Sequence, residues 1–228
     1  MYKDNFPQKI KLILFDLDDT LISEKQWYLD KWEKSSLYLQ EKYHVQGFFE
    51  KISNIIHIHG FDYTKKVDDA LLDLNVSEKI SVKEIVDYYL NVKVTPVVFL
   101  KVHDILTDLN KNYHLGIVTS GKKQEQILKI KLSGLDKYFS IVEVVESKSK
   151  NSPTPFLKCL EFFNISSKHT LFIGNDPVND FVGAKKLGIK TIRILQGMKK
   201  NIKVDRNIDS DFKFNSLEDF NNHLNSYE

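Results

Sequence analysis

Lys9-Ile10-Lys11-Leu12-Ile13-Leu14-Phe15-Asp16-Leu17-Asp18-Asp19-Thr20-Leu21 is the stretch whose reading decides the fold. Its apolar run, Ile10 to Phe15, is short, rich in β-formers and ends abruptly in acids. Such a run predicts a strand covered on both faces, the kind found in parallel sheets.

Working outward, runs of the same kind recur. His114 to Val118 stops at Thr119-Ser120-Gly121, and Ile141 to Val145 stops at Glu146. Thr170 to Ile173 stops at Gly174-Asn175-Asp176, and Thr191 to Leu195 at Gln196-Gly197. Helical spacing fills the gaps: Val98, Val102, Ile105 and Leu109; Leu128, Leu132 and Leu135; Phe156, Leu160 and Phe163; and Phe181, Ala184 and Leu187, closed by Gly188. Strand–helix alternation predicts an α/β fold, a three-layer Rossmann-like parallel sheet with helices on both faces.

One interval breaks the rhythm. Ile22 to Val94 has no strand pattern and at least three helical ones: Tyr28 with Trp32; Phe49, Ile52 and Ile56; Val82, Ile85, Val86 and Tyr89. Ser81 and Glu84 have capping-box spacing before the last. The expectation is a sheet domain of residues 1–21 and 95–228, interrupted by an all-helical insertion of residues 22–94. Lys199 to Ser210 is polar and reads as a loop.

Composition narrows the function. The 228 residues carry 33 Lys and Arg against 31 Asp and Glu, a net charge of +2. That balance argues against a nucleic-acid polymer as partner, which calls for a basic excess. Arg193 and Arg206 are the only arginines, so recognition by bidentate arginine forks is not expected. Cys159, the single cysteine, forms no internal disulfide and fits a reducing cytoplasm. No stretch approaches the ~18 apolar residues of a membrane span.

Chemistry concentrates at the first strand's end. Ligands of open α/β sheets bind at the carboxyl ends of strands. Asp16 and Asp18, two apart, point the same way in extended geometry. Two adjacent carboxylates repel unless a cation or a shared proton relieves them, and Mg²⁺, which prefers oxygen ligands, would do so.

Phe15-Asp16-Leu17-Asp18-Asp19-Thr20-Leu21 resembles the first motif of the haloacid dehalogenase-like (HAD) hydrolases, hhhhDxDxTL. Three further stretches resemble the family's other motifs, in its order. Gly116 to Gly121 is similar to the second and Lys150-Asn151-Ser152-Pro153-Thr154-Pro155-Phe156-Leu157-Lys158 to the third. Leu171 to Asp180, followed by Gly183-Ala184 and Leu187-Gly188-Ile189, is similar to the fourth. The resemblance runs from Ile10 to Leu195, and four motifs in order at strand ends carry far more weight than any one.

The resemblance implies an enzyme. It makes Asp16 the nucleophile, Asp18 the general acid/base, Thr119 with Ser120 and Gly121 the phosphoryl-binding turn, and Lys150 the neutralising lysine. It also implies Mg²⁺, held by groups drawn from Asp16, Asp18, Asn175, Asp176 and Asp180. Two features depart from the pattern. Asn151 stands where the third motif has proline, so Lys148 rivals Lys150. Asn175 stands where the fourth has its first acid, which leaves Asn175, Asp176 and Asp180 open as the loop's metal ligand. The insertion's place resembles the family's C1 cap, so substrate selection is expected between Glu24 and Val94. His57 and His59 read as ordinary cap residues. The function expected is a cytoplasmic Mg²⁺-dependent phosphomonoesterase acting on a small phosphorylated metabolite, such as a nucleoside monophosphate or sugar phosphate. A mutase or phosphotransferase of the same fold and a catalytically weak HAD-like binding protein are the alternatives; a dehalogenase would not need Asp18.

Overall fold

The computed structural model describes residues 6–7, 9–146 and 150–226. Its centre is β1, Leu12–Phe15, with four consecutive buried residues. Leu12 and Leu14 pack into one apolar cluster, Ile13 and Phe15 into another. A strand's side chains alternate between faces, so a strand covered on both sides must be apolar throughout.

Five strands join it in parallel: β2 (His114–Ser120), β3 (Ile141–Val145), β4 (Thr170–Gly174), β5 (Lys190–Ile194) and β6 (Phe212–Phe214). Their spatial order is β3-β2-β1-β4-β5-β6. One face is covered by α5 (Val102–Asn112) and α9 (Leu217–Asn225), which supply Ile105, Leu106, Leu109, Phe220 and Leu224 to its core. The other is covered by α7 (Thr154–Phe163) and α8 (Phe181–Lys186), through Phe156, Cys159, Phe181 and Ala184. Between β2 and β3 lies α6 (Lys123–Leu132). The parallel α/β sheet is the one expected; β6 and α9 extend it beyond the elements the sequence reading placed.

Between β1 and β2 the chain forms α1 (Glu24–Tyr43), α2 (Phe48–His59), α3 (Lys66–Asp73) and α4 (Val82–Asn91). By compactness the chain falls into two units, Met1–Lys25 with Pro96–Glu228, and Gln26–Thr95. The second has its own core, with Trp32, Leu39, Phe48, Ile52, Leu71 and Ile85 among its buried members. The capping box is not formed. Ser81 precedes α4 without a side-chain cap. Glu84 instead accepts hydrogen bonds from Tyr38 Oη (2.6 Å), Tyr43 Oη (2.9 Å) and Lys42 Nζ (2.9 Å). Three donors from α1 outcompete a single backbone amide.

Topology positions the site. From β1 the chain goes to β2 and β3 on one side, then crosses to β4 on the other. The reversal between β1 and β4 is a switch point, where strand ends diverge and leave a crevice. Phe15 pairs with Ile117 and with Ile173. Asp16 follows one residue later on β1; Thr119 and Asn175 follow two residues later on its neighbours.

Candidate active site

Asp16, Lys150 and Asp180 form a buried triad. Lys150 Nζ lies 2.8 Å from Asp16 Oδ1 and 2.7 Å from Asp180 Oδ1. The lysine is placed by its own backbone: its N–H donates to Asn179 O (2.7 Å), and its carbonyl accepts from Gly183 N (3.0 Å). This close approach explains Gly183, where a Cβ would stand 2.3 Å from Lys150 O. Gly174 serves likewise, since a Cβ there would meet Asp180 Oδ2 at 2.4 Å. Lys148 lies outside the described residues.

The carboxylates differ in what their oxygens touch. Asp180 is fully committed: Oδ1 meets Lys150, and Oδ2 accepts from the backbone N–H groups of Asn175 (3.0 Å) and Asp176 (2.8 Å). Asp18 is committed too, with Lys129 Nζ 2.8 and 3.0 Å from its two oxygens and Gln126 Nε2 2.7 Å from Oδ2. Asp16 gives Oδ1 to Lys150, while its Oδ2 has no hydrogen-bond partner among the described residues. Burial above all pushes the Asp16 carboxyl up to about 8; Asp180 and Asp18 add to the rise, and Lys150 opposes it. Burial also works against the Lys150 ammonium, but Asp16 and Asp180 outweigh it and hold its pKa above the ordinary lysine value.

Thr119 is buried at the end of β2, its hydroxyl 2.9 Å from Gln126 Nε2. Ser120 Oγ is buried without a hydrogen bond among the described residues. Gly121 differs from expectation: its N–H donates to Val145 O (2.9 Å), which ends the β2–β3 ladder and takes this donor away from an anion.

The oxygen donors suit a hard cation. Asp16 Oδ2 is free, the Asp18 carbonyl accepts no backbone hydrogen bond, and the Asn175 side chain makes none, among the described residues. Asp176 is engaged in its own turn, accepting from Val178 N (2.9 Å) and Asn179 Nδ2 (2.8 Å). One lysine faces two buried carboxylates, which leaves the local charge balance open to a further cation. No three acidic, histidine or cysteine side chains gather to hold a metal among the described residues, so an amide and a main-chain oxygen must complete any set.

The family model for haloacid dehalogenase-like hydrolases matches residues 13–194. The chain belongs to that family. It is 28% identical over 199 residues to pyrophosphatase PpaX of Bacillus mycoides, covering 82% of this chain and 84% of the relative. It is 28% identical over 198 residues to the glyceraldehyde 3-phosphate phosphatase of Pyrococcus furiosus, covering 81% and 80%. In fold it is similar to the HAD hydrolase YfnB of Bacillus subtilis, a structure bound to magnesium (TM-score 0.60, 18% identity, 96% of this chain and all of that one). The chain is a HAD hydrolase with a helical insert between β1 and β2.

Sequence reading missed Gln126 and Lys129. It gave the buried face of this helix to Leu128, Leu132 and Leu135; Leu135 is buried, just beyond the helix end, but within α6 the structure buries Gln126, Lys129 and Ile130 and leaves Leu132 exposed. The available signal was the i, i+3 spacing of 126 and 129, which puts both on one helix face. His57 and His59 are exposed in the last turn of α2, and Cys159 is buried in α7 with its thiol pushed up to about 12 by burial. No helix among the described residues is long and apolar enough to cross a membrane.

Proposed function

We propose that this hydrolase is a Mg²⁺-dependent phosphomonoesterase that acts on a small phosphorylated metabolite through an aspartyl-phosphate on Asp16. The observation that carries the reading is the division among three carboxylates. Asp180 is spent on Lys150 and the backbone, Asp18 on Lys129 and Gln126, and of the three only Asp16 keeps an oxygen free among the described residues.

In the first step Asp16 Oδ2 attacks phosphorus, the bond to the ester oxygen breaks, and Asp18, which enters the step protonated, passes that proton to the departing alkoxide. In the second, Asp18 takes a proton from water, whose oxygen displaces the Asp16 carboxylate from phosphorus and yields inorganic phosphate. Thr119 donates its hydroxyl hydrogen to a phosphoryl oxygen, and Lys150 supplies a fixed positive charge beside the nucleophile. Asp180 keeps that lysine in place. The Asp16 carboxylate through the oxygen that does not attack phosphorus, the Asp18 carbonyl and Asn175 would hold Mg²⁺, with Asp176 and Asp180 left to their turn and ion pair. When bound, the metal supplies positive charge for the phosphoryl oxygens. The helical insertion is the region proposed to select the substrate.

The test is a panel of phosphate esters that includes triose phosphates, hexose phosphates and nucleoside monophosphates, with pyrophosphate alongside. Phosphate release should require Mg²⁺, stop with EDTA and fall by about 10³-fold or more in Asp16→Asn, because the covalent route is lost. Release that survives EDTA or Asp16→Asn would refute the mechanism. Transfer to a sugar hydroxyl in place of water would make the protein a mutase.

A further inference from the structure

The buried polar face of α6 has no role in the scheme above. Lys129 is almost fully buried, yet its ammonium reaches both oxygens of Asp18. One turn earlier, Gln126 Nε2 lies within 2.9 Å of three acceptors: Asp18 Oδ2 (2.7 Å), Ser120 O (2.8 Å) and Thr119 Oγ1 (2.9 Å). Its amide nitrogen carries two hydrogens, so the three acceptors share them. Gly121 makes room for it. Its φ is +137°, and a Cβ there would come 3.3 Å from Gln126 Cδ. One helix face thus ties the end of the first strand to the end of the second.

We propose that Gln126 and Lys129 are positioning residues: they fix the Asp18 carboxylate in one orientation, and Lys129 affects turnover only through Asp18. The inference rests on the phosphatase reading and adds to it two side chains that act through the carboxylate they hold and not on the substrate. An unheld aspartate samples several rotamers, and only some present an oxygen to the leaving group. Two donors on one rigid helix remove that freedom before substrate arrives.

The consequence depends on the leaving group. An alkyl alkoxide needs a proton as it departs, whereas 4-nitrophenolate leaves without one. Misplacing Asp18 therefore harms alkyl esters selectively in kcat/KM, which reports the steps up to loss of the leaving group. Side-chain acid catalysis contributes ~10²–10⁴-fold, so loss of its orientation should cost about tenfold or more.

The experiment compares glycerol 2-phosphate with 4-nitrophenyl phosphate in wild type, Lys129→Met, Asp18→Asn and the double variant. Lys129→Met should lower kcat/KM at least about tenfold on the alkyl ester and under about threefold on the aryl ester. In the Asp18→Asn background it should cause no further loss. Equal losses on both esters, or an undiminished loss in that background, would overturn the proposal and leave Lys129 a packing residue. Circular dichroism checks the fold; should Lys129→Met fail to fold, Lys129→Gln, which removes the ion pair but keeps a polar head, must show the same selectivity. A wild type that cleaves neither ester, nor any member of the panel, would overturn the phosphatase reading and this inference with it. An active wild type with unselective losses would overturn this inference alone.

Discussion

Lys150 shows how one residue couples stability to chemistry. Its ammonium sits between two buried carboxylates, and both its backbone groups are bonded to the segment that carries Asp180. Lys150→Met would keep the apolar stem and leave both acids without their shared cation. Removing one partner from a buried ionic group costs ~3–5 kcal/mol, so urea denaturation should show a loss of that size together with loss of phosphate release. An unfolding free energy within about 0.5 kcal/mol of wild type would contradict the triad. Asp16→Asn should act in the opposite direction on the metal-free protein. Burial, foremost, raises the Asp16 carboxyl to about 8 from a reference of 3.8. Between those values the native state binds the proton that the unfolded chain releases, so Asp16 lowers stability progressively as pH rises through this window. With EDTA present, Asp16→Asn should therefore unfold at higher urea than wild type near pH 8, and the gap should narrow towards pH 4. A gap that widened on acidification would show the sign to be wrong.

At the scale of elements, agreement between sequence and structure depends on who covers an element. β1, β2 and β4 were legible because a strand covered on both faces must be apolar, and acids or glycines mark where cover ends; β3, half-buried, and β5, not apolar throughout, were read from their β-branched residues. The same logic misled on α6. An amphipathic helix is read by its apolar stripe, but here the inward face carries Gln126 and Lys129 to meet Asp18 beside Ile130, so polar residues share the buried face. Asp16, Lys150 and Asp180 could be nominated by motif; which oxygen stays free depends on side chains distant in sequence. β6 has only three residues, too few for a period, and its partner β5 supplies the missing context. In α4, Glu84 had capping-box spacing, but the tyrosines of α1 claim it. Hydrogen bonds from Tyr38, Lys42 and Tyr43 hold its carboxyl down at about 2, against 4.5 unperturbed. A depressed acid contributes stability that is present above its unfolded pKa and is lost as pH falls towards the folded value. Glu84→Gln should accordingly flatten the fall in melting temperature between about pH 4.5 and pH 2, while phosphate release at neutral pH stays unchanged. An identical acid slope in both proteins would dissociate Glu84 from acid stability.

Across the whole molecule, the near-neutral charge conceals local economies. Arg193, one of two arginines, is buried with Nη2 on the carbonyls of Lys199 (2.8 Å) and Ile202 (3.0 Å), and so pins the loop after β5. Asp19 is buried as well, its oxygens accepting from Glu24 N (3.0 Å) and Met198 N (2.7 Å), which ties the first motif's turn to that same loop. Both charged groups hold loops, which leaves lysine and backbone to meet phosphate. Cohesion is similarly divided. The cluster around Trp32, Phe48 and Ile52 draws all its members from Gln26–Thr95, and the two clusters flanking the sheet draw none from it. A cavity in one core removes contacts only within its own unit, and local opening follows such cooperative units. Ile52→Ala, at a position with no solvent exposure, should cost about 2–5 kcal/mol within the helical unit. Native-state hydrogen exchange would then show faster sub-global exchange for amides of residues 26–95, with those of β1, β2 and β4 retaining their protection. Equal loss across β1 and β4 would show instead that the two units open as one.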